Sequence, residues 1–324
     1  MTPKSLIHRT LIACALGLFV AGSTANAAEK PKIGIAMPTV EGDWYSAVLY
    51  GAETEAEKLG YEVVVLDAGG FGHPEKQVDQ ISNLIVQQVK AILTDPIDPA
   101  TLDGAVRTAH QAGIPVIGLG TPVISANIQP DAAATSSQCQ LGELMADGAK
   151  RLLPNGGTIA ALAGPPGAYW ATERYACFVK SIAGAKIDIV AERNSEEDPA
   201  TALSIANDLL QRFPKVSLFY AADDTYGVGA GRAIQQAGKC GAVQVLMAGF
   251  GKAAEDTMRG GCAQFVVAQR TVLIGRTASE LADKLARGET PASRLVEVPF
   301  LSITPDHVGE VPLADIRQPA DWKP

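Results

Sequence analysis

Between Lys32 and Asp67 the hydrophobic period of the chain changes twice. Ile33-Gly34-Ile35-Ala36-Met37 is a short continuous apolar run. After the turn Pro38 to Asp43, Trp44, Val48, Gly51, Ala52, Glu55 and Leu59 recur at helical spacing. Gly60 closes that helix, and Tyr61 to Leu66 is a second, β-branched run. A strand–helix–strand unit with apolar strands calls for a parallel pair, buried on both faces and joined by a right-handed crossover. In such sheets ligands bind outside the carboxyl ends of the strands. Trp44 and Tyr45 fall at such an end.

The same plan repeats along the chain. Strands are expected at Ala91–Thr94, Ile114–Leu119, Thr158–Ala163, Ile187–Glu192, Val216–Ala221, Val243–Ala248 and Ala263–Gln269, each separated from the next by a helical pattern. The segment Gly120 to Gln138 breaks the rhythm and reads as a passage between domains. Beyond Arg294 the chain is read as extended and Pro-rich. With 324 residues, this alternation predicts an α/β fold of two doubly wound parallel-sheet lobes. Returns of the chain near Gln269 and near Pro299 would make a three-segment hinge. The expected N-terminal lobe is residues 28–120 and 271–296, and the C-terminal lobe is residues 121–270 and 297–324.

Residues 1–27 read as a signal peptide, with Lys4, His8 and Arg9 ahead of the apolar run Leu11 to Ala21 and an Ala25-Asn26-Ala27 cleavage site. An uncleaved anchor is the alternative, but the run falls short of the ~20 residues that span a bilayer. The expected location is therefore the periplasm. Four cysteines remain, Cys139, Cys177, Cys240 and Cys262, an even number that favours disulfides in an oxidising compartment; buried free thiols are the alternative.

The net charge of −8 carries no basic footprint, which excludes nucleic acid as a partner. His8, His73, His110 and His307 lack metal-ligand spacing, and no G-x-S-x-G elbow occurs, so no metal, no cofactor and no enzymatic activity are expected. Gly227-Val228-Gly229-Ala230-Gly231 falls inside a helix start and is not a dinucleotide fingerprint.

The matching stretches Ile33–Asp67, Ala91–Leu119, Phe219–Gly238 and Met247–Gln269 resemble the periplasmic binding proteins of the ribose-binding type. Leu66-Asp67-Ala68-Gly69-Gly70-Phe71, followed by Gln77-Val78-Asp79-Gln80-Ile81, is most similar to TorT-type receptors. The resemblance implies a monomeric receptor that captures a small solute between its lobes and serves an ABC permease, or, on the TorT likeness, a membrane sensor kinase. It implies ligand contacts from Trp44, Tyr45, Asp223 and Gln269. Phe71, Thr121, Tyr169, Trp170 and Thr172 complete the expected ligand-binding set.

Other positions depart from that family. Gly120-Thr121 stands where Asp-Arg is common, Thr172 where an Arg opens the helix, and Gly251 where an Asp follows Gly-Phe. A cleft poor in charge and rich in aromatics is therefore expected, suited to apolar faces or a cation. The family fold also sets the helices of Cys139 and Cys177 side by side, and puts Cys240 and Cys262 each ahead of a strand of the second lobe. The implied disulfides are Cys139–Cys177 and Cys240–Cys262.

Overall fold

The computed structural model describes residues 29–323. The signal-peptide reading lies outside the described residues. Two six-stranded sheets carry the fold. The first is built from β1 (Lys32–Met37), β2 (Glu62–Asp67), β3 (Ala91–Thr94), β4 (Val116–Gly120) and β5 (Ala132–Thr135). The second begins with β6 (Gly157–Leu162), β7 (Ile187–Arg193), β8 (Leu218–Ala221), β9 (Gln244–Ala248) and β10 (Ala263–Ala268). Two short late strands, β11 (Leu295–Glu297) and β12 (Leu301–Ile303), join the first and second sheets respectively.

Strand order is β11-β5-β4-β3-β1-β2 in the first sheet and β12-β10-β9-β8-β6-β7 in the second. Every pairing is parallel except β12 on β10. The helices are α1 (Asp43–Lys58), α2 (Pro74–Val86), α3 (Asp103–Gln111), α4 (Gln138–Leu152), α5 (Tyr169–Ile182), α6 (Pro199–Arg212), α7 (Asp224–Gln236), α8 (Lys252–Arg259) and α9 (Thr271–Ala286). Their ends follow local chemistry. Asp198 and Asp223 cap α6 and α7 by accepting from the backbone of Thr201 and Tyr226, and Pro199 takes the first helical position of α6.

The second crossing returns α9 to the first lobe, where it packs on α1. The approach is close because glycines face each other. A Cβ on Gly51 would overlap the carbonyl of Val272, and one on Gly275 would overlap the carbonyl of Val48. Ser279 Oγ, from α9, also donates to the carbonyl of Ala52 at 2.8 Å.

Three segments link the lobes: Ser136–Ser137, Gln269–Arg270 and Val298–Phe300. The first and third are tied together, since Val298 N donates to the carbonyl of Thr135 at 2.8 Å.

Two boundaries of the sequence reading are corrected. β5 lies in the first sheet, beside β4, so residues 121–135 belong with the first lobe rather than the second. The tail does not stay with the second lobe. After β12, a 3-10 turn at Pro305–Glu310 packs on α8 and a second at Leu313–Asp315 packs on α9. Asp315 then pairs with Arg270 and Arg276, and the Trp322 ring meets Tyr50 of α1 with centroids 5.5 Å apart.

Both implied disulfides are present. The Cα atoms are 5.1 Å apart for Cys139–Cys177, which joins α4 to α5, and 4.6 Å apart for Cys240–Cys262.

Candidate functional site

The carboxyl ends of both sheets point into one cleft between the lobes. It encloses about 610 Å³ of empty space, its open mouth included. From the first lobe come Trp44 and Tyr45 on the first turn of α1, Asp95 just past β3, and Thr121 just past β4. The second lobe gives Trp170 and Arg174 on α5, Asp223 past β8, and Glu197 in the loop after β7. Gln269 and Thr271 enter from the second crossing, and Ile316 and Arg317 from the tail.

Aromatic rings run across the cleft from one lobe to the other. Trp44 meets Tyr45 edge-on at 4.9 Å, Tyr45 meets Phe71 at 6.2 Å, and Phe71 meets Trp170 of the other lobe at 6.3 Å. Arg174 places its Cζ over the Trp170 ring, 4.6 Å from the centroid. Its Nε and Nη2 donate to Gln138 Oε1 at 3.1 and 2.6 Å, and Nη1 donates to the carbonyl of Ala222. Gln138 opens α4 directly after the first crossing, so the hinge holds this guanidinium in place.

Of the expected ligand residues, the structure brings Trp44, Tyr45, Thr121, Trp170, Asp223 and Gln269 into the cleft. The other three lie outside its lining. Phe71 packs between Tyr45 and Trp170 and borders only an outer cavity at the mouth. Tyr169 is 44 % exposed and does not line the cleft. Thr172 spends its hydroxyl on the carbonyl of Ala168, one helical turn back. The cause is helical phase: α5 starts at Tyr169, three residues earlier than the sequence reading, so Trp170 and Arg174, at i and i+4, share the inward face.

The expectation of a charge-poor cleft is also corrected. Asp43, Asp95, Glu197, Asp223 and Asp224 all line it, with Arg174 and Arg317. Burial pushes the Asp95 carboxyl up to about 7. Burial, then the charges of Asp223 and Asp43, pushes Asp224 up to about 8. Glu197 is driven well above the carboxylate range by burial and by Asp223. Burial lowers Arg174 from its ordinary value. Among the described residues, no cluster of His, Cys, Asp and Glu suited to a metal ion is found.

A family model for the periplasmic binding protein domain matches residues 33–290. The chain belongs to this family. It is 31% identical over 268 residues to the ribose import binding protein RbsB of Salmonella typhimurium, covering 82% of this chain and 88% of that one. It is 26% identical over 276 residues to the D-allose-binding periplasmic protein of Escherichia coli, covering 82% of this chain and 87% of that protein. Among solved structures, an ABC transporter solute-binding protein from Agrobacterium vitis with bound D-fucose superposes with a TM-score of 0.80 at 25% identity, covering 89% of this chain and all of that one. Like these relatives, the chain is a solute-binding protein of ABC import, a binder and not an enzyme.

Proposed function

We propose that this binding protein works in the periplasm as a monomer, takes up a solute of sugar or polyol size between its lobes, and presents the closed complex to an ABC permease. The observation that carries this reading is the convergence of the strand ends of both lobes, with their aromatic faces and hydrogen-bonding groups, on one cleft. Flat apolar faces flanked by a few convergent polar groups suit a small hydroxylated ring or chain. The relatives reported above, named for ribose, D-allose and D-fucose, support a solute of that size. Docking on a sensor kinase, as in TorT-type receptors, rests on the Leu66–Phe71 and Gln77–Ile81 stretches; permease and ATPase genes beside this one would favour import, and a histidine kinase gene the sensor reading.

The test is a thermal-shift screen of residues 28–324 against sugars and polyols, since a ligand that binds only the folded state raises its melting temperature. At least one should do so. Trp44→Ala should then weaken calorimetric affinity by ~1–3 kcal/mol, the scale of a buried aromatic contact. No shift with any sugar or polyol would sink the reading, and unchanged affinity in a folded Trp44→Ala protein would remove Trp44 from the site.

A further inference from the structure

The cleft carboxylates outnumber the two cations beside them and form no ion pair with either. Asp43, Asp95, Glu197, Asp223 and Asp224 line it, and among the described residues none of them forms a salt bridge. Two guanidiniums face them, fewer than the carboxylates, and most of their donors are used elsewhere, although Arg317 Nη1 is buried without a partner. All three Arg174 nitrogens donate to Gln138 and Ala222, and Arg317 Nη2 lies 2.9 Å from Glu255 Oε2, outside the cleft lining. Removing charge from water without a partner is costly, which is why burial raises Asp95, Glu197 and Asp224 above the ordinary carboxylate value, and a cation placed beside them offsets that cost.

Two further polar atoms await a ligand, of which the Asp95 oxygen is an acceptor for an amine and the Gln269 nitrogen a donor for a hydroxyl. Asp95 Oδ1 and Gln269 Nε2 are buried in the cleft wall with no hydrogen-bond partner, and each residue is only 3 % exposed. Asp95 closes the first-lobe wall behind Trp44, whose ring packs on Gly120. Asp95, Glu197 and Asp223 line the same cleft as Tyr45. Carboxylates from both lobes thus converge beside the Trp44, Tyr45 and Trp170 rings. Aromatic faces attract cations, and a charged nitrogen beside a carboxylate makes the stronger, charge-assisted kind of hydrogen bond.

We propose that the solute carries a protonated amine beside its hydroxyls, making it an amino sugar or an aminopolyol whose ammonium bridges Asp95 of one lobe and Asp223 and Glu197 of the other. This rests on the sugar-sized reading of the cleft given above. Amine binding then adds positive charge to an acidic wall, and it does so only when both lobes contribute.

Matched pairs test it by calorimetry on ligand-free protein: D-glucosamine against D-glucose, and 1-amino-1-deoxy-D-sorbitol against D-sorbitol, with N-acetyl-D-glucosamine as the charge-free control. The expected result is an amine that binds about tenfold or more tighter than its hydroxyl counterpart, the scale of one charge-assisted hydrogen bond, with the gain abolished by N-acetylation. Asp223→Asn keeps an oxygen to cap α7, and Glu197→Gln is a second variant should the first not fold. Either should cut amine affinity by a similar factor. A neutral sugar or polyol that binds as tightly as its amine overturns the amine proposal and leaves the import reading standing. Binding by no member of either series overturns both.

Discussion

Asp224 is the carboxylate whose protonation the fold should report most directly. It is buried, accepts a hydrogen bond from Gly251 N at 2.7 Å, and is pushed up to about 8, while Asp95 is pushed up to about 7. Both therefore hold a proton more tightly folded than unfolded, where the ordinary value is 3.8. Their contribution to stability is complete below that value and is lost as the pH rises through 7 and then 8. Without ligand, the melting temperature should fall between pH ~5 and ~8.5, and Asp224→Asn should flatten the slope. A variant slope equal to that of the wild type would contradict the shift. At this scale the sequence marks residues that end a strand or open a helix, such as Trp44, Tyr45, Asp223 and Gln269. Asp95 and Glu197 also follow strands, β3 and β7, but nothing in their local pattern sets them apart from other loop carboxylates. Arg174 is hidden because its direction depends on where α5 starts, and Arg317 because nothing in a Pro-rich tail signals a return to the cleft.

Helix α9 shows how an element can be placed by what it lacks. Gly51 and Gly275 let α1 and α9 approach until backbone meets backbone. Gly275→Ala should cost roughly 1–3 kcal/mol of stability in urea unfolding, as overpacking does. Gly104, within α3, has open space around its Cα and ordinary backbone angles. Gly104→Ala should be neutral or add roughly 0.5–1 kcal/mol, the usual helix preference of Ala over Gly. Equal effects at the two sites would mean that the contact does not hold α9 in place. The long apolar and β-branched strands were legible because their pattern has no other good use. β5 was not, because Ala132-Ala133-Ala134-Thr135 has little strand propensity and forms only by pairing with β4 and β11.

For the whole molecule, the three linking segments allow the lobes to swing while few backbone angles change. The structure has the lobes in contact across the mouth, through Phe71 and Trp170. A ligand that touches both lobes favours this closed form by its differential affinity. Small-angle scattering should give a larger radius of gyration for the ligand-free protein than for the saturated complex. Equal radii would argue against closure as the response to ligand.

The interleaving of the lobes also sets the order in which the protein can be finished. Strands β6 to β10 and helices α4 to α8 lie in one unbroken stretch, Gln138–Ala268, whereas the first sheet waits for α9 and β11, the latter ending at Glu297. A chain made from its amino end thus produces most of the first sheet first, but closes it only shortly before β12 completes the second. The early stretch, Lys32–Thr135, lacks β11 until some 160 further residues have appeared, which is 297 less 135. Its β11 edge and the face that α9 covers stay open through that interval, when the nascent protein is most exposed to mispairing and most in need of a chaperone.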